Sequence, residues 1–177
     1  KSSNDSTVGV TLDSTGTTGT EDKSLTSQKG DIVISADKNN TVKTRAVGGS
    51  VGIVSAVGIN AQASDSGSAA VQVRGNRYTF SGEAVGFSAV NRPEAVVWAG
   101  SASVGMDAFQ ATVGTATVDA KAIMDIDGDN TFKANDVAFA AQVGEDGKTV
   151  ADTTVIGVGL GGVYSGAVNK AAAATDT

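Results

Sequence analysis

Apolar residues recur at every second position along much of this chain. In 51-VGIVSAVGINAQA-63 the odd positions Val51, Ile53, Val57, Ile59, Ala61 and Ala63 carry the apolar load. In 96-VWAGSASVGMDA-107 it falls on Val96, Trp98, Ala102, Val104 and Met106, and in 153-TTVIGVGLGG-162 on Ile156, Val158 and Leu160. A period of two predicts strands with one buried face. Between the strands lie DSTGTTGTEDK (13–23), SDSGS (64–68) and GEDGK (144–148), which are turn compositions. The one stretch that could be helical, 115-TATVDAKAIMD-125, also alternates, on Ala116, Val118, Ala120 and Ala122.

The alternation is organised into a diverged repeat. A Gly followed by an acidic or amide residue opens 30-GDIVISADKNNTV, 75-GNRYTFSGEAVGF and 128-GDNTFKANDVAF. In the last two, Thr79-Phe80 aligns with Thr131-Phe132, and Val85-x-Phe87 with Val137-x-Phe139. A second marker, V-G plus an apolar residue, occurs at 8-VGVT, 57-VGIN, 104-VGMD and 158-VGLG. Superposing it puts Val8/Val10, Val57/Ile59, Val104/Met106 and Val158/Leu160 in one phase. The chain divides into a leader or partial repeat (1–29) and three repeats (30–74, 75–127 and 128–177) within a single domain.

These features predict an all-β fold, a parallel β-solenoid of about 50-residue degenerate repeats. Each repeat is read as roughly two rungs of 20–25 residues, giving a rod on the order of 35–40 Å long. An antiparallel β-sandwich is the alternative, because short alternating strands with frequent turns suit it too.

Composition narrows the chemistry. Of 177 residues 23 are Gly and only 5% are aromatic, so the expected interior is narrow and built from Ala and Val. A net charge of −6 points away from nucleic acid. No run of 18 apolar residues predicts a membrane-spanning helix. Cysteine and histidine are both absent, which removes thiol nucleophiles, thiolate metal sites and the usual neutral-pH base. The expectation is a protein that is not an enzyme.

The series GDIVISADKNNTVKTRAVGGSVGIVSAVGINAQ resembles the repeats of giant bacterial filamentous adhesins, including leukotoxin-type and haemagglutinin-like surface proteins. Gly30–Ala36, Val42–Gly49 and Val57–Asn60 carry the likeness, which is closest in this copy and looser in the other two. The resemblance implies a right-handed parallel β-solenoid outside the cell, working as a stalk or adhesive fibre. It carries over no catalytic residues.

The stretch 125-DIDGDNTFKAND-136 has the acidic spacing of a calcium loop. Asp125, Asp127, Asp129 and Asp136 would supply carboxylates and Thr131 a backbone carbonyl, so structural calcium is the one cofactor suggested. Asn130 stands where such loops have Gly, and the partner repeats lack the acidic set; a solvated acidic turn is the competing reading. Glu83, Glu94 and Arg92 are the candidates for a carbohydrate-active site. Trp98, Tyr78 and Tyr164 could stack on sugars, although Trp98 is expected in the core. Asn4 and Asn39 match the glycosylation pattern. The expected function is a structural, non-catalytic segment or subunit of an extracellular bacterial fibre or adhesin, self-associating through uncapped ends. The alternatives are an adhesive module for a host protein or glycan and, more remotely, a carbohydrate-active enzyme.

Overall fold

Val, Ile, Thr and aromatic residues alternating with polar ones turn most of the chain into strand. The computed structural model describes residues 1–15, 22–75, 77–144 and 149–176, so most of the turn stretches expected at 13–23 and 144–148 lies outside it. Its strands are β1 (Ser2–Asn4), β2 (Thr7–Asp13), β3 (Lys23–Thr26), β4 (Ile32–Val51), β5 (Val54–Asp65), β6 (Ser68–Arg74), β7 (Tyr78–Ser81), β8 (Ala84–Asp119), β9 (Lys121–Ile126), β10 (Thr131–Lys133), β11 (Asp136–Val143) and β12 (Val150–Asp176). No helix occurs among the described residues, and 115–125 lies in β8 and β9.

Strands β2, β6 and β9 form one three-stranded sheet, and β3, β7 and β10 another. In the third sheet β4 and β5 lie along one side of β8, and β11 and β12 along the other. Every pairing among the described residues is parallel, which excludes the antiparallel sandwich there.

The register corrects the size of a rung. Ile32 pairs with Val85, Val54 with Asp107 and Ser68 with Lys121, an offset of 53 each time. One repeat is therefore one long pass through all three sheets, not two short rungs. Three passes stack, separated by about 4.8 Å each, so the outer two lie roughly 10 Å apart rather than at the ends of a long rod.

The Thr-Phe and Val-x-Phe alignment holds: Thr131 pairs with Thr79, Phe132 with Phe80, Val137 with Val85 and Phe139 with Phe87. Gly75 and Gly128 both have positive φ, 95° and 90°, and make the same turn in successive passes, where a side chain would be strained. The first Gly-Asp marker is displaced, because Ile32 and Ile34 pair with Val85 and Phe87. The V-G marker is displaced as well. Val104 pairs with Val51, so 51-VGIV rather than 57-VGIN is its counterpart, and Val57 meets Gln110.

Each pass has two parts. The body encloses Ile34, Val71, Val73, Tyr78, Phe80, Val85 and Phe87. Phe80 stacks on Phe132 with centroids 5.4 Å apart, and Phe87 stacks on Phe139 at the same spacing. Beyond the body the long strand runs out, bends near Gly105–Met106, and returns, making an arm of two facing sheet layers. Thr44 Oγ1 donates across the arm to the Gln62 carbonyl at 2.7 Å, and Ser101 Oγ to Gln110 Oε1 at 2.6 Å. The layers lie close: a Cβ on Gly48 would sit 2.9 Å from Ile59 Cδ1, and one on Gly114 2.7 Å from Thr153 Cγ2. Near the body the arm encloses Val42, Ala61, Ala63, Ala95, Val97, Ala99, Ala116 and Val118. Farther out the interior turns polar, with buried Ser55, Ser101, Ser103, Gln110 and Thr112.

Candidate assembly interface

The pairing pattern leaves two open ends. Among the described residues, β2, β3 and β4 pair along one edge only, as do β9, β10, β11 and β12 on the opposite side. Unpaired strand edges of this length are templates for another strand. The side-chain columns run through to both ends: Leu25 lies under Phe80 and Phe132, and Ile34 under Phe87 and Phe139. Phe139, interior by phase, is 51% exposed because nothing lies beyond it, whereas Phe87 in the middle pass is 1% exposed.

One segment partly covers the first end. β1 pairs with the last three residues of β5, Ser2 with Ala63 through Asn4 with Asp65. A buried polar knot holds it. Asp65 accepts hydrogen bonds from Asn4 Nδ2 (2.9 Å), Asn40 Nδ2 (3.0 Å), Lys38 Nζ (3.2 Å) and the Gly67 N–H (3.3 Å). Burial works to raise this carboxyl's pKa; the donations from Asn4, Asn40, Lys38 and Gly67 outweigh it and hold the carboxyl below its ordinary value. Both side chains of the Lys38–Asp65 pair are buried. In the next pass Asn91 replaces Lys38, donating to the Gly67 and Lys121 carbonyls at 2.7 and 3.1 Å. The knot separates the aromatic body from the arm. The sequence held one sign of it: Lys38 and Asn40 continue the inward phase of Ile32, Ile34 and Ala36.

The acidic stretch is spread over several elements. Asp125 ends the outer face of β9, Thr131 starts β10, Asp136 starts β11, and all five candidate ligands are exposed. Asp127 and Asp129 lie in the turn between β9 and β10. Asp127 Oδ1 accepts the Gly128 N–H at 2.8 Å, and the Asp129 carbonyl accepts the Arg77 N–H at 3.1 Å. Asn130 Oδ1 accepts the Tyr78 N–H at 3.3 Å, which ties this turn to the preceding pass. No group of three or more acidic residues suited to a metal occurs among the described residues.

The other polar candidates are dispersed. Arg92 pairs with Asp37 at 2.5 Å, Glu94 accepts from Thr41 Oγ1 at 2.8 Å, and Glu83 lies in the turn before β8. Tyr78 is buried against Phe80, while Tyr164 is exposed. Trp98 is on the outer face of the arm, not in the core, with the Arg45 guanidinium 4.7 Å above its ring. Asn39 lies in β4, and Asn4 is held by the knot. No helix of the described residues is long and apolar enough to cross a membrane. No protein-family model, curated protein or solved structure matches the chain.

Proposed function

We propose that the chain is a structural, non-catalytic piece of a parallel β-solenoid fibre, part of an extracellular bacterial adhesin or filament. Its work is to extend the stack by accepting another pass at its open ends. The carrying observation is the pair of open, parallel edges with continuous columns of inward side chains between them. Added strands would satisfy edge N–H and C=O groups and cover the exposed ring of Phe139. Head-to-tail addition of this kind is a heterologous contact that does not close on itself.

Negative-stain microscopy over a concentration series tests the reading. Filaments of uniform width should lengthen with concentration, and Phe139→Lys should suppress them while circular dichroism still reports strand. Separate particles of one size at every concentration would sink self-stacking. A calcium series in the same samples reports whether the 125–136 turn contributes.

A further inference from the structure

The outer half of the arm is built inside out. Its interior holds Ser55, Ser101, Ser103, Gln110 and Thr112, all buried, with Val57 and Ile59 of the first pass beside Gln110 and Thr112, and three of the polar atoms there (Ser55 Oγ, Ser103 Oγ, Gln110 Nε2) have no hydrogen-bond partner. Its outside is apolar. One broad face presents Val47, Val51, Val104, Ile156, Val158 and Leu160; the other presents Phe109 and Val168 among glycines and alanines; the bend adds Ile53, Met106 and Val163. Among the described residues, thirteen of the nineteen exposed large apolar side chains belong to the arm. Charge has been cleared from it as well. From Trp98 to Val113, with the residues paired to them in 45–60 and 154–170, the charged residues are Arg45 and Lys170 at the base and Asp107, half-buried at the bend, although the chain carries 13 basic and 19 acidic residues.

An apolar shell on both faces and around the tip is unlike a one-sided docking patch. A second copy laid against the arm would cover one face and leave the other in water. A medium that surrounds the arm covers both. From Trp98 to Met106 the apolar stretch runs eight residues, about 25 Å, the height of the outward apolar band on membrane strands, which likewise enclose a polar interior. At its base Trp98 lies under Arg45, an amphipathic ring and a cation suited to the headgroup level. The 600 Å³ groove around Phe109, lined by Ala56, Gly58, Ala111, Gly166 and Val168, has the smooth small-residue walls that acyl chains fill.

We infer that the arm is a lipid-contacting element that enters the apolar layer of a bilayer tip first. The inference rests on the stacking reading in one respect: strand edges inside hydrocarbon need partners, and neighbouring passes supply them.

Flotation of the full chain with neutral phosphatidylcholine vesicles tests it, with filaments scored by microscopy in the same samples. The chain should float in both low and high salt, since no charge attraction is invoked. Emission from Trp98, the sole tryptophan, should shift to the blue and be quenched by brominated phosphatidylcholine. Phe109→Asp combined with Val158→Asp should lower partitioning at least tenfold. Val33→Asp, on the exposed face of the body, should leave it unchanged. Filaments without flotation would overturn the lipid contact and leave stacking intact, whereas flotation by a chain that forms no filaments, on or off the vesicles, would overturn stacking and the insertion that depends on it. Equal flotation of the double-Asp variant would overturn the arm's role. A lipid-free dimer broken by Phe109→Asp would assign the face to a second copy instead.

Discussion

The body and the arm are built from the same three passes and obey opposite rules. In the body, rings and branched side chains point inward and charges outward, as in Phe80 and Phe87 against Asp37 and Arg92. In the outer arm, hydroxyls and an amide point inward beside Val57 and Ile59, while most of the Val, Ile, Leu, Met and Phe side chains point outward. Both have a period of two, so alternation alone does not say which phase is buried. What differs is width. The body gains depth from its third sheet and holds aromatic rings. The arm has two close layers in which Ile59 Cδ1 and Thr153 Cγ2 fill the space beside Gly48 and Gly114, and no aromatic ring lies among its described buried residues.

Substitution can separate the two halves, and the largest effect belongs to the body. Phe80→Ala removes a ring stacked on Phe132 and set edge-on to Phe87, and should cost about 3–5 kcal/mol in a denaturant titration. A loss under 1 kcal/mol would mean that the body is no better packed than the arm.

At the boundary, Asp65→Asn should cost a similar or somewhat smaller amount, about 3 kcal/mol, because Lys38 stays buried without its counter-charge. Replacing both partners with apolar residues should recover most of that loss. The acid limb of stability reports the same knot. Since the folded Asp65 carboxyl titrates below its ordinary value, its contribution is complete above about pH 4 and is lost as pH falls through the folded value. A urea midpoint followed from pH 6 to 3 should fall in that window, and the part due to Asp65 should be missing in Asp65→Asn.

In the arm the sign reverses. Ser103→Ala removes a buried hydroxyl that has no partner, and should be neutral or stabilising by up to about 1 kcal/mol. The smallest effect is expected for Arg45→Ala, which removes the cation over Trp98 and should cost about 0.5–1 kcal/mol. Trp98 emission gives a direct check.

The same contrast explains what could be read from sequence. The parallel stacking of Thr79-Phe80 on Thr131-Phe132 was legible because large aromatic residues recur only where the interior is wide. Of the set read as one buried face in 51–63, Val57, Ile59, Ala61 and Ala63 face inward, whereas Val51 and Ile53 lie outside, because the strand bends between them. In 96–107 the apolar set Val96, Trp98, Ala102, Val104 and Met106 is the outer one, and the buried set is Val97, Ala99, Ser101 and Ser103. Hydrophobicity there marks the outside, so a reading that assigns apolar residues to the core inverts the strand. The 53-residue rung escaped notice because repeats of this length also suit two short rungs; only the pairing of Ile32 with Val85 distinguishes them. The Asp65 knot draws its members from residues up to 61 positions apart, beyond the reach of local spacing.

The long rung also has a mechanical consequence. Each pass adds only about 5 Å to the height of the stack but stores roughly 180 Å of extended chain. A pull on a terminus loads the edge of a single pass and opens its backbone hydrogen bonds one after another, like a zip. The next pass stays closed until the first is spent. Pulled from one end, the stack should therefore lengthen by roughly 180 Å for each pass opened, an extension that single-molecule force measurements would read.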